Sequence, residues 1–191
     1  MPRDYGKLAP NKVRRQDREV TDEAYIRDYL QKAPSGALAT VSEGQPFINS
    51  NLFVYEEATN AIYLHTARVG RTQANVDAVA EGAPVCFSVF SMGRLLPAKQ
   101  ALEFSVEYEG VTVFGKGTIV TDDAEASRTL QLLLDKYAPH LKPGEDYEPI
   151  NAEELKRTAV FRIDIESWSA KRKEVASDFP GAFYYASTPG E

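Results

Sequence analysis

Between Ala61 and Val76 the chain brings together residue types that suit one kind of chemistry. Ala61 to Thr66 has the character of a short strand, Gly70 of a turn, and the residues after it of the first turns of a helix. His65 and Thr66 close the strand, and Arg71 and Thr72 open the helix. A helix start exposes backbone N–H groups without intrahelical partners, and arginine adds a forked cation, so the segment is expected to hold a phosphate. The competing reading is a surface arginine in a first helical turn, where the helix dipole disfavours a cation. A phosphate reading implies a phosphorylated cofactor.

Other residues join this candidate site. Asn49, Ser50 and Asn51 interrupt an otherwise apolar strand, which wastes packing unless a ligand or an interface uses them. His65 is either a hydrogen-bonded strand end or a proton donor that titrates near neutrality. Trp168, the single tryptophan, either packs an apolar edge or stacks on an aromatic cofactor. His65 and His140 are the two histidines and stand far apart, and no thiol or carboxylate spacing completes a metal site. No Ser-His-Asp set, Walker loop or GxGxxG fingerprint is present, so electron chemistry would come from a cofactor.

The elements that must position these groups follow from pattern. Residues 1–20 are polar and charged and are expected to form an extended arm, solvated or laid against a partner. Thr21 is expected to cap a helix with Ile26, Tyr29, Leu30 and Ala33 on one face, ended by Pro34 and Gly36. Residues 37–41 and 47–55 are expected to pair as a hairpin. The helix after Gly70 should run to about Ala80, followed by a strand over 85–90 and a loop over 91–100. In residues 102–114, Leu102, Phe104, Val106 and Tyr108 alternate with polar residues, and the phase flips at Gly110, which predicts a β-bulge there. Asp122 or Asp123 should cap a helix bearing Leu130, Leu133, Leu134 and Tyr137. Asn151 should cap a short helix, and 158–165 should be a last strand. The sum is a mainly β protein with flanking helices, its antiparallel sheet bent into a barrel of six or seven strands. The domain is placed at residues 21–168, with 169–191 as a C-terminal tail.

Composition narrows the function classes. A chain of 191 residues fits one domain with terminal extensions. Its net charge of −6 argues against non-specific nucleic-acid binding. Cys86 is the single cysteine and sits in an apolar run, which suits a core residue in a reducing cytoplasm. No stretch reaches the ~20 apolar residues of a membrane span, and no secretory signal is visible.

Gly44-Gln45-Pro46-Phe47 with the strand after it, Tyr63-Leu64-His65-Thr66-Ala67 and Gly70-Arg71 resemble the pyridoxamine 5′-phosphate oxidase-like FMN-binding split barrels. The nearest branch is the flavin-nucleotide-binding and 5-nitroimidazole reductase proteins. That likeness extends to Leu102–Val106, Val113-Phe114-Gly115, Leu155–Thr158 and Trp168–Lys171, covering roughly residues 12–175. The resemblance implies a homodimer with FMN at the subunit interface. Asn49, Ser50, Asn51 and Leu52 would run beside the flavin, His65 and Thr66 would close the next strand, and Arg71 and Thr72 would hold the phosphate. Trp168 and Lys171 or Arg172 would approach the ring, and His65 would lie at the substrate pocket. The chain departs from the oxidases in having Thr72 beside Arg71 where they carry a lysine, with Arg68 as a cation that could compensate. It also has Asn49 where they carry an arginine. The implied activity is reduction of a small, nitroaromatic-type substrate with NADH or NADPH. The alternatives are a flavin or haem carrier without turnover, and a divergent pyridoxamine-phosphate oxidase.

Overall fold

A computed structural model describes residues 4–185. After two single 3-10 turns in the N-terminal arm, the elements are β1 (Glu19–Val20), α1 (Glu23–Lys32), β2 (Gly36–Ser42), β3 (Gln45–Asn51), β4 (Val54–Glu56), β5 (Ala61–Ala67), α2 (Arg71–Asp77), β6 (Ala83–Leu96), β7 (Ser105–Ile119), α3 (Asp123–Tyr137), α4 (Ala152–Arg157) and β8 (Thr158–Lys173). Among the described residues all eight strands join one antiparallel sheet, ordered β3-β2-β6-β7-β8-β5-β4, with β1 against β8. The two ends do not pair, so the sheet is a split barrel rather than a closed one. No described helix is long and apolar enough to cross a membrane.

The core forms because period-two strands turn one apolar row inward and α1 covers it. Ile26 and Leu30 of α1 pack with Leu38, Phe53, Phe87, Val111, Phe161 and Ile163. Phe53 meets Phe87 edge to face, with ring centroids 4.8 Å apart. A second cluster, with Tyr63, Val160 and Leu155, is closed by Ala126 of α3. Asp122 caps α3 and Asn151 caps α4. Asn151 and Glu154 complete a capping box.

Five expectations are corrected. Strand β6 continues through residues 91–96 instead of breaking into a loop at 91. Strand β8 runs on to Lys173, past the expected domain end at 168, and β1 in the expected arm pairs with it. Helix α2 stops at Asp77. The fourth correction is the bulge. Gly110 sits in unbroken register opposite Phe90, and the register shifts instead between Phe114 and Gly115 against β8. A Cβ on Gly115 would lie 2.0 Å from the Asp164 carbonyl oxygen, so that close crossing requires glycine. The phase flip has a different origin: Glu107, Val111 and Val113 form one inward row. Glu107 is tolerated inside because Arg94 pairs with it. The strand expected from residue 102 begins only at Ser105, after a 3-10 turn, and Leu102 and Phe104 are exposed.

Candidate functional site

The site is built around the edge strand β3 and the start of α2. A two-residue turn at Glu43 and Gly44, both at positive φ, reverses the chain and fixes the register that sets Asn49 opposite Leu38. Strand alternation then puts Asn49 and Asn51 on one face and Ser50, with Ile48, on the other. The three polar residues therefore do not point into one site. Asn49 Nδ2 donates to Asn51 Oδ1 at 3.4 Å and to Thr72 Oγ1 at 3.3 Å. Asn75 Nδ2 donates to Thr40 Oγ1 at 2.8 Å, which ties α2 to β2. Gly70, at φ 137°, supplies a backbone conformation that side chains disfavour and delivers Arg71 and Thr72 to β3.

Arg71 and Thr72 divide in role. Thr72 is 5 % exposed and held by Asn49, so it braces the amides and does not open toward a ligand. Arg71 is exposed and, among the described residues, makes no ion pair. It lines a recess of about 350 Å³ with Ser42, Gln45, Pro46, Phe47 and Asn75. Arg68 does not compensate there. Its Nε donates to the Leu155 carbonyl at 3.1 Å, and it lines a separate recess beside α4.

His65 opens a second, larger space. Residues 61–64 of β5 are buried and His65 is the first to emerge, into a groove of about 490 Å³. Leu52, Leu130, Leu133, Leu134, Tyr137 and Ile150 make its walls apolar, with Glu154, Arg157 and Thr158 at one side. Desolvation by these walls lowers the His65 pKa below its ordinary value, so the ring is neutral near pH 7. Thr66 Oγ1 donates to the Ala67 carbonyl and is spent on its own strand. Strand β3 leads from the Arg71 recess at Phe47 to the His65 groove at Leu52. Those five steps span ~16 Å in extended chain. A cation at one end, amides between and an apolar trough at the other suit an extended phosphorylated cofactor with a flat ring.

Trp168 and Lys171 are not brought to this place within one chain. Val160 lies opposite His65, and Trp168 is eight residues further along β8, roughly 26 Å in extended strand. The indole faces inward opposite Val113 and lies against the Arg27 guanidinium, 5.0 Å from its centroid. Lys171 is exposed on the opposite sheet face, between Gly110 and Glu19.

The sequence reading missed the groove. Leu130, Leu133, Leu134 and Tyr137 were legible as one face of α3, but a helix face does not reveal whether another element covers it. Only Leu133 of the four is buried, and all four line the trough. Tyr137 and Lys136 also went unread as anchors. The hydroxyl of Tyr137 accepts from the Phe53 amide, and Lys136 Nζ donates to the Ala33 and Phe53 carbonyls at 2.8 and 3.0 Å.

The family model described as pyridoxamine 5′-phosphate oxidase matches residues 22–172. No curated protein matches the sequence. Among solved structures, the flavocytochrome Anf3 from Azotobacter vinelandii superposes with a TM-score of 0.75 at 21% identity, over 96% of this chain and 88% of that one. The FAD and heme binding protein from Mycobacterium smegmatis gives 0.71 at 25% identity, over 83% and 74%. A protein named for 5-nitroimidazole antibiotic resistance, from Bacteroides thetaiotaomicron, gives 0.65 at 17% identity, over 81% and 86%.

Proposed function

Because the chain belongs to the pyridoxamine 5′-phosphate oxidase-like family of FMN-binding split barrels, we propose that it is an FMN-dependent oxidoreductase. The observation that carries this reading is Arg71, exposed and without an ion pair among the described residues, joined by the β3 amides to the apolar His65 groove. In this reading Arg71 binds the phosphate, Asn49 and Asn51 orient the chain between phosphate and ring, and Leu52 with the α3 leucines excludes water from the ring. The chemistry supplied by FMN when bound is two-electron transfer from NADH or NADPH to a small acceptor, such as a nitroaromatic compound. His65 borders the space where that acceptor would sit and, neutral near pH 7, offers one N–H for a hydrogen bond to it.

The working unit in this reading is a homodimer. The outer face of β2, β3 and β6 carries Ala37, Ala39, Val41, Ile48, Ser50, Cys86 and Ser88, small or apolar residues with no helix over them among the described residues. Val41 and Ile48 are exposed there, as suits packing by a second copy. In this reading the protein works in the cytoplasm, a compartment that a chain with a single cysteine suits.

A flavin titration tests the proposal. Wild-type protein should bind FMN and, under anaerobic conditions, be bleached by NADH or NADPH in a stopped-flow spectrometer. Arg71→Ala should weaken FMN binding by about 1.5–3 kcal/mol, the worth of a charge-assisted hydrogen bond. Equal affinity of wild type and variant would remove Arg71 from the phosphate site.

The His65 groove also supports a second reading, a haem-carrying protein. A neutral imidazole opening into an apolar trough is a suitable metal ligand, and Arg157 stands at the side for a carboxylate. The Mycobacterium smegmatis protein named for both FAD and heme lends it weight. Haem reconstitution should then give a Soret band that His65→Ala abolishes. An unchanged band in the variant would exclude His65 as the ligand.

A further inference from the structure

One end of the outer sheet face, on β6, β7 and β8, has a composition that the Arg71 recess and the His65 groove do not use. Adjacent strands set two rows across it. Phe90 of β6, Gly110 of β7 and Lys171 of β8 make the first row, and Met92, Tyr108 and Lys173 make the second. Apolar groups stand on one side, a flat ring and a glycine in the middle, and two ammonium groups on the other.

The aromatic part is open. Phe90 and Tyr108 stack with centroids 6.4 Å apart and planes 27° from parallel, and Phe90 remains 67 % exposed. Gly110 beside them puts no side chain over the face. Phe90 is the open member of the pair, and an exposed ring backed by a second, half-buried ring is a platform for another flat ring.

The cationic part is crowded, and strand pairing sets the Glu19 carboxylate beside Lys171. Arg18 reaches in from the N-terminal arm, its guanidinium 5.8 Å from the Tyr108 centroid and its Nη1 donating to the Tyr108 hydroxyl at 3.2 Å. Asp17 stands 3.7 Å from Arg18 but is held more tightly by Arg15, at 2.6 Å. Lys173 donates to Ser105 Oγ, and among the described residues neither Lys171 nor Lys173 forms an ion pair. Burial and the nearby Arg18 and Arg15 push the Lys173 pKa below its ordinary value, as expected of a cation among cations. A bound anion would relieve that repulsion.

We propose that this face binds the adenosine-phosphate half of a reduced nicotinamide dinucleotide, with adenine stacked on Phe90 and Tyr108 and phosphates on Arg18, Lys171 and Lys173. Across two strand spacings, about 9.6 Å, the face offers stacking and then charge, the order in which a nucleotide presents base and phosphate. The assignment of the nucleotide as an electron donor rests on the oxidoreductase reading; the binding of adenosine phosphates does not.

Isothermal titration with ADP and with 2′,5′-ADP is the test, on wild type and on Phe90→Ala and Lys173→Ala. Both positions lie on the outer face, and unchanged circular-dichroism melts would certify folding. Wild type should bind at least one of the two ligands, and each variant should weaken it tenfold or more. In the active protein the variants should raise KM for NADH or NADPH by a similar factor, with FMN affinity unchanged. Absence of heat with both ligands on wild type would overturn the proposal. So would variants that split the protein into monomers in sedimentation without altering nucleotide affinity, because the face would then belong to a second copy. Colourless protein that still binds ADP at Phe90 and Lys173 would remove the flavin reading and leave this one standing.

Discussion

Lys136 illustrates how a single residue here carries opposing demands. Its ammonium bridges the Ala33 and Phe53 carbonyls and lies 4.1 Å from the Phe53 ring centroid, with no carboxylate paired to it among the described residues. Burial brings its pKa from 10.5 to about 8. Between those values the unfolded chain binds more protons than the folded one, so stability contributed through Lys136 rises with pH across that window. Urea unfolding at pH 7.5, 9 and 10 should therefore show wild type gaining on Lys136→Met as pH increases. A constant difference would mean that the carbonyls and ring faces offset the burial. Arg71 was legible at this scale because an arginine behind a glycine, at a helix start, is an unusual expense of charge. Thr72 was not, because only the position of Asn49 turns its hydroxyl inward.

At the scale of elements, the β6–β7 ribbon holds down the chain end. Arg94 grips Glu107 with two hydrogen bonds of 2.8 Å and donates to the carbonyls of Val175, Ala176 and Ser177. The Val175 amide donates to Glu107, and Leu95 exchanges two backbone hydrogen bonds with Phe183. Arg94 and these amides hold the Glu107 carboxyl at about 2, below its ordinary 4.5. A depressed carboxyl pKa contributes stability that is present above 4.5 and lost as pH falls toward 2. Docking of residues 174–183 should loosen across that range, read as faster amide exchange at Phe183. Arg94→Met should loosen it at neutral pH, so that limited proteolysis trims the C-terminus while the rest of the sheet resists. Equal trimming of wild type and variant would show that the Leu95–Phe183 pairing suffices. The ends of β6 and β8 escaped the sequence reading for the same reason: residues 91–96 and 166–173 mix polar and apolar types, and their pairing partners alone keep them extended.

For the whole molecule, the separation of His65 from Trp168 matters most. The groove and the Arg71 recess lie along β3, and the indole and Lys171 lie at the far end of β8. A flavin site that used both sets would have to draw them from two copies. Sedimentation equilibrium should give twice the mass of one chain, and Ile48→Glu on the uncovered outer face should halve it and lower FMN affinity with it. A monomeric wild type that binds FMN at full strength would confine the site to the β3 side.

What the sequence determined by itself was local: a helix start at Asp122 or Asp123, the cap at Asn151, the turn at Gly44, the strand from Ala61, and the glycine turn that opens a helix at Arg71. Each depends on residues within a few positions of one another, so spacing and propensity suffice. Tertiary structure decided which faces are covered. It laid α2 over the Asn49 face of β3, buried Glu107 against Arg94, left Phe90 outside, and opened a trough beneath α3. Burial is a property of what lies across the sheet, and the residues across it are often a hundred positions away in the chain.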